Sequence, residues 1–181
     1  MVHERKFTPS VVEPSFGIGR IIYSLLEHSF RVRDGDEQRT YLKFNPVVAP
    51  VKCALLPLTR SPSQRRIVSD ISATLQSLNV AFRVDDSGTS IGKRYARSDE
   101  IGVPFAVTVD EVTERDGTVT LRERDSTAQV RGSLEVVVGA IGEMCRGRTW
   151  EDATGRIRKV GDAGTTCVRD TGRGCFRRPV G

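Results

Sequence analysis

The sequence predicts an α/β fold: a five-stranded mixed sheet with helices on its faces, in the order β-α-β-α-β-β-β-α. Three observations carry this reading. Residues 51–58 form a short apolar run bounded by prolines, the mark of a buried strand. Ser61-Pro62-Ser63-Gln64 combines a capping serine, a proline at the first helical position and a Gln three residues after the cap, and it leads into a stripe of Ile67, Val68, Ile71, Leu75 and Leu78. Phe105, Val107 and Val109 alternate before Asp116-Gly117, and Val119 and Leu121 alternate after it, which reads as a hairpin.

The remaining elements follow in chain order. Phe16-Gly17-Ile18-Gly19-Arg20 leads into a helix whose Ile21, Ile22, Leu25 and Leu26 share one face. That face needs a partner, either the following domain or another chain, because it is apolar. Residues 31–44 are dense in polar groups around an Asp34-Gly35-Asp36 turn and read as a linker or interdomain loop. Val80, Phe82 and Val84 alternate as a second strand, reached from the first by a helical crossover and so parallel to it. Asp85-Asp86-Ser87-Gly88 turns at its end, and Ser90 can cap a helix that stops near Ile101-Gly102. After the hairpin, residues 129–132 read as a last strand and residues 134–144 as a helix. Beyond Trp150 the pattern fades, and residues 161–181 read as a disordered or poorly packed tail.

A chain of 181 residues suits one domain with appendages, and no apolar run approaches the length of a membrane span. The formal net charge of +5 is unevenly placed. Residues 146–181 hold nine basic and four acidic side chains, whereas residues 1–145 hold 19 of each sign. Cys53, Cys145, Cys167 and Cys175 show no CxxC pairing and no charged-then-apolar leader is visible, which predicts buried or incidental thiols in a reducing cytoplasm and no metal site.

Two places could hold RNA. After Ser90, Lys93, Arg94 and Arg97 lie at helical spacing with Tyr95 between them, a basic ridge with one aromatic. Spacing alone favours a solvated face balanced by Asp99 and Glu100. On the hairpin's second arm Thr118, Thr120, Arg122 and Arg124 share a face, which suits base stacking or, equally, surface ion pairs. A third string, Glu13-Pro-Ser-Phe-Gly-Ile-Gly-Arg20, sets a carboxylate, a hydroxyl and an arginine at a strand-to-helix junction, suited to an ammonium beside a phosphate. Its glycines match neither a dinucleotide fingerprint nor a P-loop.

With its continuation Ile-Ile-Tyr-Ser-Leu-Leu-Glu-His28, that string resembles the third class II motif of the eukaryotic and archaeal type of glycyl-tRNA synthetase. The resemblance continues through Gly35-Asp-Glu-Gln-Arg39, Val48-Ala-Pro50, Leu56-Pro-Leu58 and Val84-Asp-Asp-Ser-Gly88. It is densest at Ser90-Ile-Gly-Lys-Arg-Tyr-Ala-Arg-Ser-Asp-Glu-Ile-Gly-Val-Pro-Phe105 and at Thr120-Leu-Arg-Glu-Arg-Asp-Ser126, and it covers about residues 9–150.

The resemblance implies three regions: residues 1–45 from a class II catalytic domain with a linker, residues 46–150 as a class IIa anticodon-binding domain, and residues 151–181 as a basic tail. It implies that Glu13 and Ser15 contact glycine, that Arg20 holds ATP, and that Lys93, Arg94, Tyr95, Thr108 and Arg124 bind the anticodon of tRNA(Gly). ATP with Mg belongs to the intact family enzyme. Motifs 1 and 2 are not in this sequence, so the chain alone is expected neither to bind such a cofactor nor to charge tRNA, and a catalytic domain or second subunit is an expected partner. The alternative from a different class is a stand-alone anticodon-domain protein serving RNA or an accessory role. The compartment implied is the cytoplasm, with an organelle as the other possibility.

Overall fold

The computed structural model describes Glu4 and residues 6–160. Helix α1 (Ile18–Ser29) leads into strands β1 (Phe30–Arg33) and β2 (Asp36–Leu42). Then come β3 (Cys53–Pro57), α2 (Pro62–Ser77), β4 (Phe82–Val84), α3 (Ile91–Glu100) and β5 (Phe105–Val109). The chain continues with α4 (Glu111–Asp116), β6 (Thr118–Glu123), β7 (Gln129–Ser133), α5 (Leu134–Cys145), α6 (Trp150–Thr154) and β8 (Arg158–Lys159).

The main sheet has the order β4-β3-β5-β6-β7-β8. β3 runs parallel to β4 and β5, and every later pair is antiparallel, so the sheet is mixed as the sequence predicts. β3 and β5 are buried along their whole length because helices cover both faces there, which is why their sequences read as continuous apolar runs. The main core joins Leu55, Val107, Val119 and Leu121 to Ile71 and Leu75 of α2 and to Val137, Val138 and Ile141 of α5. A smaller cluster of Ala54, Leu56, Val103 and Ala106 lies under α3, where Ile91 and Tyr95 pack. The start of α2 matches its sequence signals, since the Ser61 hydroxyl accepts from the Gln64 backbone amide. The Gln64 side chain turns inward, and its Oε1 accepts from the Thr59 amide.

Three expectations change. The polar stretch after α1 is an antiparallel hairpin, with Gly35 in the left-handed region (φ 77°) at its turn. Its side chains are polar because both strands are largely exposed, so no apolar period marks them. Between β5 and β6 stands α4 rather than a direct turn: Asp110 caps it, its carboxylate accepting from the Thr113 amide and the Thr113 hydroxyl accepting from the Asp110 amide. Gly117 ends that helix at φ 70°. Past residue 150 the fold goes on, for β8 pairs with β7 and Ile157 joins the core, giving the sheet a sixth strand. Residues 161–181, where a disordered tail was expected, lie outside the described residues, as do Cys167 and Cys175.

The hairpin is fastened to the domain. Gly102, at φ 79°, gives room to the Phe44 ring, and the Arg124 guanidinium donates to the Gly102 and Phe44 carbonyls at 2.9 Å each. α1 differs: Ile21, Ile22, Leu25 and Leu26 remain 42–52% exposed, so the domain does not cover the face that needed a partner.

Candidate nucleic-acid interface

α3 divides its side chains between the domain and solvent. Ile91, Arg94, Tyr95, Ser98 and Asp99 turn toward the sheet, whereas Lys93 and Arg97 are exposed. Tyr95 is half-buried and its hydroxyl lies 2.6 Å from the Thr108 hydroxyl on β5. The Arg122 guanidinium from β6 sits 4.6 Å from the Tyr95 ring centroid, a cation–π contact. Both Arg122 Nη atoms donate to the Asp99 carboxylate at 3.0 Å, the bidentate fork that fixes a guanidinium plane.

The same sheet face continues in polar residues. Thr108 pairs across the ladder with Thr120, and Thr120 with Arg131 of β7. As the sequence indicates, Thr118, Thr120 and Arg122 face away from Val119 and Leu121, which enter the core. Arg131 donates to both Asp110 oxygens (2.8 and 2.9 Å) and to the Thr118 and Thr120 hydroxyls (2.7 and 3.1 Å). The result is a hydrogen-bonded polar strip across β5, β6 and β7 whose Thr108, Thr120 and Arg122 are buried, while Lys93 and Arg97 are exposed on α3.

Charge is tightly matched at its borders. At the end of β4, Arg97 donates to the Asp85 carboxylate at 2.5 Å. Burial would raise the Asp85 pKa, yet hydrogen bonds from Ser87 and Arg97 outweigh it and hold the carboxyl below its usual range. The hydrogen bond from Arg131, aided by the Thr113 amide and hydroxyl, brings Asp110 down to about 2 from 3.8. A carboxyl with a folded-state pKa below its unfolded value adds stability above the unfolded pKa and loses it as pH falls through the folded one. Asp110→Asn should therefore flatten the loss of stability between about pH 4 and pH 2, measured by urea unfolding against the parent chain. An identical acid slope in both proteins would contradict the Asp110–Arg131 bond.

The sequence-indicated residues fall into three groups. Tyr95 and Thr108 meet between α3 and β5, with Thr108 itself buried, whereas Lys93 is exposed on the solvent side of α3. Arg94 and Arg124 are buried, at 4% and 2% exposed. Arg94 Nη1 donates to the Pro57 and Asp85 carbonyls (2.7 and 3.0 Å), and Arg124 is spent on backbone carbonyls and on Asp125. Both hold the framework instead of forming a solvent-facing basic ridge. Glu13, Ser15 and Arg20 lie far from this face in sequence, on a wholly exposed run entering α1. Among the described residues no cluster of His, Cys, Asp or Glu is placed to hold a metal. Burial pushes the Cys53 thiol far up, with Cys145 adding to the effect, and leaves it unreactive.

Sequence reasoning missed Asp99, Asp110 and Arg131 as parts of this face, and Arg33 as its outer support. The Asp110/Thr113 spacing is a capping signal that could have exposed α4. The others depend on pairings 21 to 66 residues apart.

Residues 52–144 match the family described as "Anticodon binding domain". The chain is 52% identical over 153 residues to glycine–tRNA ligase 1, mitochondrial, of Saccharomyces cerevisiae, covering 84% of this chain and 22% of that protein. It is 52% identical to the glycine–tRNA ligase of Drosophila melanogaster over 84% of this chain and 20% of the relative. For that of Methanothermobacter thermautotrophicus the identity is 51%, over 81% and 25%. The chain thus spans about a fifth to a quarter of the curated relatives it matches. Among solved structures, prolyl-tRNA synthetase from Cryptosporidium parvum shares the fold with a TM-score of 0.55 and 22% identity, over 67% of this chain and 26% of that one.

Proposed function

Because this chain belongs to the anticodon-binding domain family of the aminoacyl-tRNA synthetases, we propose that it grips the anticodon of a glycine tRNA as the anticodon-binding part of a glycine–tRNA ligase. One observation carries the reading: Tyr95, Arg122, Thr108 and Thr120 meet on a polar sheet face inside the matched span, beside exposed Lys93 and Arg97. An aromatic ring stacked with a guanidinium can take an unpaired base, hydroxyls can bond base edges, and exposed cations can take phosphates. Lys93 and Tyr95 contact RNA in this proposal, Thr108 holds the Tyr95 hydroxyl, and Arg94 and Arg124 support the face from within.

In the ligase, ATP-dependent activation of glycine precedes transfer to tRNA. Glu13, Ser15 and Arg20 would contribute to the glycine and ATP sites only when another domain or subunit closes over them. The exposed apolar face of α1 supports such a partner. No step through ATP or magnesium is derived on this chain. Cytoplasmic action is part of the proposal; among the described residues no helix is long and apolar enough to cross a membrane.

The test is fluorescence anisotropy with tRNA(Gly) across a salt series. Lys93→Ala should weaken binding and lower the slope of log K against log salt by about 0.7–0.9, the loss of one phosphate contact. Substituting the anticodon should weaken binding of the parent chain. Equal affinity for both tRNAs, with an unchanged slope in the variant, would refute the reading.

A further inference from the structure

We infer that Arg33, on the hairpin and outside the matched residues 52–144, is a positioning residue for the RNA face: through Asp99 it holds Arg122 and Tyr95 in the arrangement that receives a base. The inference rests on the anticodon reading above. Arg33 Nη2 donates to Asp99 Oδ2 at 2.8 Å and to the Arg124 carbonyl at 2.5 Å, while Nη1 donates to the Asp125 carbonyl at 2.9 Å. Tyr41 of β2 lies 4.5 Å from its guanidinium carbon and confines it from another side. The Arg33 side chain is 16% exposed and Asp99 is 9% exposed, so this ion pair is largely withdrawn from water.

Asp99 joins two segments that lie far apart in the sequence. Asp99 Oδ2 is shared by Arg33 and Arg122, and Oδ1 takes the second arm of the Arg122 fork. One carboxylate therefore sits between two guanidiniums, which places it where both attractions are satisfied and leaves it little freedom to turn. Arg122 in turn lies against the Tyr95 ring, and the Tyr95 hydroxyl is held by Thr108. The contacts run without a gap from the hairpin to the middle of the sheet. Without Arg33, Asp99 loses one of its two anchors on the last turn of α3, the carbonyls of residues 124 and 125 lose a donor, and the hairpin loses its hold on the helix. The Tyr95–Arg122 stack then becomes mobile although every residue of the face is still present.

The experiment uses the full chain with Arg33→Ala, Tyr95→Ala and the double variant. Arg33→Ala should weaken tRNA(Gly) binding by about three- to tenfold, and the double variant should bind no worse than Tyr95→Ala, because the two act through one platform. The salt slope should not move, since the Arg33 charge is committed to Asp99 and not to phosphate. In the RNA-free chain, Tyr95 ring flips observed by NMR should become faster in Arg33→Ala. An unchanged flip rate, additive binding losses, or a slope reduced by one phosphate contact would each overturn the inference. Failure of the parent chain to discriminate tRNA(Gly), with faster ring flips still seen, would count against the anticodon reading and leave the positioning role of Arg33 standing.

Discussion

Gly102→Ala should lower stability by about 2–4 kcal/mol and release the hairpin from the domain. Two effects add. A Cβ at φ 79° is strained in itself, and it would overlap the Phe44 ring and come within 3.1 Å of the Leu42 carbonyl oxygen. Phe44 cannot simply withdraw, because its carbonyl accepts from Arg124. Denaturant unfolding should show the loss, and hydrogen exchange should show faster opening of β1 and β2 than of β5 and β6. Phe44→Ala combined with Gly102→Ala should recover the steric share but not the backbone share. Parent-level stability with protected hairpin amides would refute the packing described here.

Leu121→Ala should cost about 3–5 kcal/mol, a large share of the stability of a domain this size. Leu121 is fully buried at the centre of the sheet, paired with Val107 on one side and Val130 on the other. Its neighbours in the core are anchored on two helices, α2 and α5, so the cavity cannot collapse easily. Urea unfolding measures the effect directly. Lys93→Ala, on the opposite face and exposed, should stay within about 0.5 kcal/mol of the parent. A Leu121→Ala variant as stable as Lys93→Ala would mean that the apolar side of the sheet is not the core.

These two residues show why part of the molecule was legible. Leu121 stands in a strict alternation, with Val119 and Leu121 on the apolar core side and Thr118, Thr120 and Arg122 on the polar side, and such a period survives in the sequence because one face packs apolar side chains while the other pairs polar ones by hydrogen bonds. The start of α2 was equally legible, since capping is a local matter of Ser61, Pro62 and Gln64. The hairpin and β8 were not, because exposed or two-residue strands need no apolar period. α4 was hidden by an expected turn at Asp116-Gly117, although Asp110 and Thr113 spelled its cap. In the candidate site, Lys93, Tyr95 and Thr108 came from the resemblance; Tyr95 and Thr108 share a hydrogen bond, and Lys93 is exposed on the same helix as Tyr95. Arg94 was misjudged as a surface cation. It lies three residues after Ile91 and four before Ser98, on the stripe that faces the sheet, and that spacing outweighs its charge.

The sequence by itself determined the alternation that makes a sheet with one apolar and one polar face, the crossover that makes its first strands parallel, and the family to which residues 52–144 belong. Those are local or cumulative properties, carried by spacing and by runs of residue type. Only the tertiary structure decided which arginines face solvent, that Asp99 stands between Arg33 and Arg122, and that Gly102 makes room for Phe44. A guanidinium goes wherever carboxylates and carbonyls converge to replace its lost water, and that convergence exists only after distant segments have packed.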